Sequence, residues 1–380
     1  MATNSPVLPG STIGILGGGQ LGCMLAMAAR TLGYRIAALD PNNHAPIKAL
    51  SDHFICAPFN DPDAAAHVAK LSKVVTIEIE HISAEALYAV EKHAPLQPRS
   101  DIVVMVHDRY RQKSWLEAHH FPIARWKTIE APDDMRYEGG LPLPGILKTT
   151  RGGYDGRGQR PANSKLEVTQ AFEHFGQKRC VLEEKLQIAS EVSVMVVRKD
   201  DASPVAYPTV FNMHKNGILA WTTLPRAGDN RHGSRPQEIA LAIAEKLDFV
   251  GVLTVEFFET TDGKLYVNEL APRIHNSYHA SLQGCATSHA EQAVRAICGL
   301  PLGSPQIVRP AAMFNLLGDL WKDGDPPFEQ ALVHPNVSLH LYGKGEPRPG
   351  RKMGHFTVTA SSPDEALRAG QEVYRHLARH

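Results

Sequence analysis

With 380 residues, the chain is longer than one average domain, so two or three domains are expected. A hydrophobic content of 43% excludes a disordered chain, and 40 basic residues balanced by 40 acidic ones argue against a general nucleic-acid or membrane-surface binder, which needs an excess of positive charge. Five cysteines with no CxxC pair fit reduced thiols in a cytoplasmic protein better than a disulfide framework or a zinc site.

The N-terminal "MATNSPVLPGST" lacks a basic region followed by an apolar run, so no signal peptide is expected. No window approaches the roughly 18 apolar residues of a membrane span. Next, "STIGILGGGQLGCMLAMAARTLGYRIAALD" reads as strand, glycine turn, helix and second strand. Gly17, Gly19 and Gly22 match GxGxxG, and Asp40 closes the second strand where a dinucleotide fold keeps its ribose acid. The same turn also suits any phosphate at a helix N-terminus, or close packing of helix on strand. Nothing downstream resembles a nicotinamide catalytic domain. "HFICAP" and "VVTIEIEHI", residues 74–82, read as further strands around the helix "DPDAAAHVAKLSK", which argues for a parallel α/β sheet. On one strand, Glu78 and Glu80 would share a face at its C-terminal end, where open α/β sheets bind ligands; a solvated edge gives the same pattern.

In "PGILKTTRGGYDGRGQ", Lys148 ends a short apolar strand and a loop with Gly152, Gly153, Gly156 and Gly158 follows. That order suits a flap over nucleotide phosphates, met by backbone N–H groups and the lysine. It is not a Walker A loop, and a polar surface turn is the plain alternative. "RCVLEEKLQIASEVSVMVVR" leads a strand to Glu183, Glu184 and Lys185, then through a polar hinge "QIAS" to Glu191 and another strand. Such a hinge offers adenine its backbone hydrogen bonds, and Glu191 is placed for ribose hydroxyls; either acid could equally be a solvated charge.

"LTVEFFETTDGKLYVNELAPRIHNS" carries a hairpin signal at Asp262-Gly263, expected as a two-residue type I′ turn. That register puts Glu256 directly opposite Glu269. Opposed like charges are destabilising, and a divalent cation between them is the simplest relief. Magnesium with oxygen ligands and nucleotide phosphates fits, with Asn268 beside Glu269; a slipped register with two solvated carboxylates is the alternative. Arg273, His275 and Asn276 follow close by, and an arginine there can stabilise transferring phosphoryl oxygens. The clusters His119-His120 and His275/His279 lack a recognisable metal-ligand set. Finally, the loop "LYGKGEPRPGRKMGH" holds Lys344, Arg348, Arg351 and Lys352 with few opposing acids, and reads as an anion pocket or a solvated basic turn.

Taken in order, Lys148, the glycine loop, the strand-exit acids and the Glu256/Asn268/Glu269 set resemble the ATP-grasp ligases. Within that superfamily, "GILGGGQLG", "RGGYDGRGQ", "NELAPRIHNS" and "RPGRKMGH" are similar to the 5-(carboxyamino)imidazole ribonucleotide synthase family of purine biosynthesis. The resemblance covers residues 11–376, although Thr149-Thr150 stands where a more basic or mixed pair is expected. It implies an α/β (α+β) fold: a Rossmann-like pre-ATP-grasp parallel sheet domain over 1–108, an ATP-grasp domain over 109–310 with a flap lobe near 122–186, and a small C-terminal domain over 311–380.

It also implies roles. ATP would meet Arg109, Lys148, Gly153, Tyr154, Asp155, Gly156, Arg157, Gly158 and Gln159, then Glu183, Glu184, Lys185, Leu186, Glu191, His214, Asn268 and Glu269. Glu256 and Glu269 would hold magnesium. Gln20, Leu21, Glu80, Asn276, Lys344, Arg351 and Lys352 would bind 5-aminoimidazole ribonucleotide, with Asp155, Tyr154, Arg273 and His275 catalytic and Asp155 handling protons. Bicarbonate would be the second substrate, no nucleic acid or membrane would be bound, and a cytoplasmic, stand-alone homodimer is expected. Another ATP-grasp ligase, a nicotinamide oxidoreductase and a non-catalytic nucleotide-binding regulator are the rival readings.

Overall fold

The computed structural model describes residues 5–136, 140–153, 158–200, 202–225, 228 and 233–378. Four short apolar runs near the N-terminus form a parallel sheet: β1 (Thr12–Leu16), β2 (Arg35–Asp40), β3 (His53–Cys56) and β4 (Val74–Ile77), in the order β3-β2-β1-β4. β1 and β4 are buried throughout, as parallel strands between helices are. The covering helices are α1 (Gln20–Thr31), α2 (Pro62–Leu71) and α3 (Ala84–Glu91). Asp61 and Ser83 cap α2 and α3 by accepting from first-turn N–H groups.

The fourth strand is shorter than the expected 74–82. The Glu78 N–H still bonds the Leu16 carbonyl (2.9 Å), but the chain then leaves the ladder. Glu78 and Glu80 therefore share no strand face, and their side chains go to different partners.

After α4 (Ser100–His107) and α5 (Arg109–Ala118), a second, antiparallel sheet forms from β5 (Trp126–Ile129), β6 (Gly145–Thr149), β7 (Gln159–Ala162) and β8 (Cys180–Glu184), ordered β5-β8-β6-β7. With α6 (Lys165–His174) it has its own core around Leu147, Phe172 and Leu182.

The large third sheet is antiparallel. It contains β9 (Ile188–Arg198), β10 (Val205–Ala206), β11 (Val210–Lys215), β12 (Ile218–Leu224), β13 (Gly251–Thr260), β14 (Leu265–Ala271), β15 (Ala311–Leu317), β16 (Val337–Leu341) and β17 (Lys352–Thr359). The order is β14-β13-β9-β11-β12-β15-β17-β16, with β10 beside β9. One face packs Val194, Val196 and Leu253 on α5, α7 (Arg235–Leu247) and their neighbours. The other packs Met195, Val197 and Met313 towards α1 and, beyond the short α8 (Ser281–Gly284), α9 (His289–Ile297), so the N-terminal domain closes over this face. At the far end α10 (Phe328–Leu332) and α11 (Pro363–Leu377) cover Phe314 and Phe356.

Two local expectations change. β9 begins at Ile188, so the hinge is only Lys185, Leu186 and Gln187, and Glu191 lies inside the strand. The apolar ladder wins here: Ile188 and Ser190 pair with Thr260 and Glu259 of β13. The hairpin loop also has three residues rather than two. Thr260 N–H bonds the Lys264 carbonyl (2.9 Å) and Gly263 N–H bonds the Thr260 carbonyl (2.8 Å). Gly263 has φ 78°, and Asp262 does not share the left-handed region that a type I′ turn demands of both residues. This loop alone would offset the ladder by one, as Phe257 opposite Val267 shows. A bulge between Glu256 and Phe257 then inserts Asn268 as the extra residue and restores Glu256 opposite Glu269.

Candidate active site

The site gathers on the sheet face that carries Glu256. Glu269 and Glu256 oppose each other, and Glu256 in turn faces Ser193 on β9. Burial and the Glu269 charge push the Glu256 carboxyl up to about 7. A pair of carboxylates that cannot comfortably both ionise, on an oxygen-rich bulge, suits a hard divalent cation. Next to it, His214 Nδ1 lies 2.9 Å from Glu191 on the adjacent strand, close enough for charge attraction. Burial opposes a charged His214, yet Glu191 raises its pKa on balance.

His275 closes the other side. Its Nδ1 accepts from the Ser277 N–H (3.3 Å) and lies 2.9 Å from the Ser277 hydroxyl, so the ring proton is assigned to Nε2, 3.3 Å from Glu256. Burial and the Arg273 charge hold His275 well below the usual histidine range, so it stays neutral. Arg273 Nε sits 2.8 Å from Glu80, an ion pair that ties the sheet to the N-terminal domain. Asn276 is buried, and both its amide oxygen and nitrogen lack hydrogen-bond partners among the described residues. A buried amide left unpaired is costly, so it marks a place where a ligand completes the structure.

The second part of the site is the flap. Lys148, at the end of β6, reaches Glu183 Oε2 on neighbouring β8 at 3.1 Å. Arg109 donates from Nη1 to the Thr149 carbonyl (3.3 Å) and from Nη2 to the Gly153 carbonyl (3.1 Å), while Arg151 reaches Asp108 (2.9 Å). The start of α5 thus holds the near end of the glycine loop. Gly158 closes its far end, its carbonyl accepting from the Thr149 N–H (2.9 Å). Gln159 lies opposite Lys148 on β7. Tyr154, Asp155, Gly156 and Arg157 lie outside the described residues.

Glu184, Lys185 and Leu186 lie at the end of β8 and in the connection that follows it. Glu184 alternates to the outer face of β8 and pairs with Arg125 (2.9 and 3.1 Å). Lys185 is exposed, and its N–H bonds the Pro144 carbonyl (2.8 Å). Leu186 sits half-buried in the short connection.

The third part is the N-terminal turn. Glu78 accepts from the Gly19 and Gly22 N–H groups, both at 2.6 Å, and so caps α1 from 56 or more residues away. Asp40 accepts from Gly18 (2.7 Å) and Asn42 (2.8 Å). The positions a dinucleotide would take for its pyrophosphate and ribose are filled by the chain's own carboxylates. The charge of Lys344 reaches both Glu78 and Cys23, and its Nζ donates to the Lys352 carbonyl (3.0 Å). The Lys352 charge in turn reaches Glu256. The basic loop therefore bridges the turn that bears Gln20 and Leu21 to the Glu256 pair. Arg351 folds back on its own loop, donating to the Glu346 carbonyl (2.8 Å).

Sequence reasoning missed Glu78 as a cap and Lys113 as a partner of Glu183 (3.0 Å). Lys113 stands four residues after Arg109 on one helix, a spacing that places the two on one face.

Comparison with known proteins agrees with this construction. Residues 10–107 match the ribonucleotide synthetase preATP-grasp domain, 114–289 the ATP-grasp domain, and 311–369 the phosphoribosylaminoimidazole carboxylase C-terminal domain. N5-carboxyaminoimidazole ribonucleotide synthase of Bacillus subtilis is 38% identical over 362 residues, 94% of each chain. The Staphylococcus aureus synthetase solved with ADP superposes with a TM-score of 0.90 at 33% identity, over 99% of this chain and 100% of that one. The Aspergillus clavatus enzyme solved with ADP and 5-aminoimidazole ribonucleotide gives a TM-score of 0.88 at 32% identity, over 97% and 99%. Fold, site and relatives place the chain in the N5-carboxyaminoimidazole ribonucleotide synthase family, ATP-grasp ligases of purine biosynthesis.

Proposed function

We propose that the chain carboxylates the exocyclic amine of 5-aminoimidazole ribonucleotide with bicarbonate. ATP is converted to ADP and phosphate, and carboxyphosphate is the activated intermediate. The observation that carries this reading is the Glu256–Glu269 opposition beside Arg273, Lys352 and the unpartnered Asn276 amide. Those groups offer one place for metal, phosphate and a polar heterocycle.

Lys148 holds the triphosphate from the flap side, and Arg109 fixes the loop that covers it. Glu191 and His214 line the nucleotide end. Asn276 meets the aminoimidazole nucleotide, while Lys344, Arg351 and Lys352 take its 5′-phosphate. Arg273, held by Glu80, faces the transferring oxygens. Neutral His275 keeps its Nε2 proton towards Glu256 and so fixes the orientation of that carboxylate. Tyr154 and Asp155 are assigned to the amine, with Asp155 accepting its proton. Glu256 and Glu269 would hold magnesium, which when bound neutralises phosphate charge and orients it for in-line transfer.

We divide the chain into 1–108, 109–310 and 311–380; the first boundary is supported by the change from a parallel sheet to antiparallel sheets, whereas the third sheet runs across the second, with β15 hydrogen-bonded to β12. A cytoplasmic setting is supported by five free cysteines; the homodimer rests on the family resemblance. No helix among the described residues is long and apolar enough to cross a membrane. ADP release measured with bicarbonate, with and without 5-aminoimidazole ribonucleotide, tests the reading. Stimulation by the ribonucleotide is expected, and release indifferent to it would overturn the substrate assignment.

A further inference from the structure

Lys113 has no role in the chemistry above. Its side chain is 4% exposed, and its Nζ lies 3.0 Å from Glu183 Oε2; Lys148 Nζ lies 3.1 Å from the same oxygen with its side chain 12% exposed. One carboxylate oxygen thus stands between two ammonium groups. A single negative charge neutralises one of them and leaves a positive charge over. The two lysines are not equivalent. Lys148 ends the strand that runs into the glycine loop, whereas Lys113 comes from α5 beneath it. Arg109, another nearby cation among the described residues, is engaged by the Thr149 and Gly153 carbonyls.

We propose that Lys113 is a positioning residue: it holds Glu183 permanently, so that the Lys148 ammonium can pass from Glu183 to the phosphates of ATP. Without Lys113, that transfer would strand a buried carboxylate with no counter-charge, a state costly enough to keep Lys148 at home. With both lysines in place their charges hold the Glu183 carboxyl down at about 2 against the effect of burial, so it is ionised in the resting site. Stripped of both, it would stay a bare buried charge or have to take up a proton, and either outcome opposes the transfer. The inference rests on the assignment of Lys148 to the phosphates.

The test is a double-mutant cycle of Lys113→Met and Glu183→Gln, with Lys148→Ala measured alongside, reading kcat and KM for each substrate. Lys113→Met is expected to raise the ATP constant about tenfold or more while the ribonucleotide constant moves less than about twofold. In the Glu183→Gln background, where no carboxylate is left to strand, the same change should alter the ATP constant less than about threefold. Equal losses in both backgrounds would overturn the proposal, as would an unchanged ATP constant in Lys113→Met. If the single variant fails to fold, the double variant carries the test: recovery of folding and an ATP constant near that of Glu183→Gln supports the role. A double variant as impaired as the single one refutes it. Should Lys148→Ala leave ATP binding intact, the phosphate-lysine assignment itself falls; should it weaken ATP while Lys113→Met does not, only the role of Lys113 falls.

Discussion

The chain has two glycine-rich turns, and they work in opposite ways. At residues 17–22 every glycine is pressed by neighbours: a Cβ on Gly17 would meet Glu78 Cγ at 2.3 Å, and one on Gly22 would meet the Gly17 carbonyl oxygen at 2.5 Å. The turn is closed, its helix N-terminus already capped by Glu78. At the start of the second loop a Cβ on Gly152 would meet nothing within 4 Å, and that glycine is there for its φ of 78°; at its far end one on Gly158 would meet Thr149 Oγ1 at 2.7 Å, so only the start is open. Its surroundings are cationic, with Arg109, Arg151 and Lys148 near the loop's start. The same residue type thus serves packing throughout the first turn and, at Gly152, an open left-handed backbone in the second, and the neighbouring charges tell the two apart.

The sharpest way to break this comparison is Gly17→Ala. Gly17 combines a φ of 107° with the clash on Glu78, so about 3 kcal/mol of stability should be lost. Thermal unfolding measures it, and a Tm within a degree of wild type would show the turn to be looser than drawn. On the flap side, Lys148→Ala should leave the fold intact and weaken ATP by about 1.5–3 kcal/mol, roughly ten- to a hundredfold in its kinetic constant. Unchanged ATP kinetics would remove the cationic half of the contrast.

The carboxylate pair proposed to hold magnesium gives a smaller effect with a definite sign. The Glu256 carboxyl is raised to about 7, so below that pH it carries a proton that a magnesium ion bound there would have to displace, and above it the pair is ready-ionised. The magnesium concentration needed for half-maximal ADP release should therefore rise as pH falls from 8 to 6, by up to about tenfold per pH unit below 7. Glu256→Gln should flatten that dependence; a wild-type requirement that stays level across this range would uncouple Glu256 from the metal. The smallest change belongs to Gly152→Ala, where only the left-handed backbone is strained. About 1 kcal/mol is expected, read as local loop protection in hydrogen exchange rather than as a shift in Tm.

Much of the site was legible because its signals are local. The strand before Lys148 with the glycines after it, and the alternation around Glu256, are each written in a short stretch of sequence. Even so, the opposition of Glu256 and Glu269 was reached through the wrong turn. A three-residue loop and a bulge at Asn268 offset each other, and neither shows in a pattern whose period is two. Residues 74–82 failed as a single strand for a related reason: the apolar alternation continues past Ile77, but Glu78 is drawn to two N–H groups that lie far back in the sequence.

By itself, the sequence determined the order of elements, the α/β character, the place of Lys148 on the strand that leads into the second glycine loop, and the carboxylates that face each other, since each depends on neighbours a few positions away. Only the tertiary structure decided which charge each ionisable group meets. It put Glu78 under the first glycine turn, Lys344 beside it, Arg273 on Glu80, Lys113 on Glu183, and His279 against His289 (3.2 Å) in the interior. Such pairings join segments separated by tens to hundreds of residues, and burial sets their strength. No local pattern encodes either the partner or the dielectric in which the two meet.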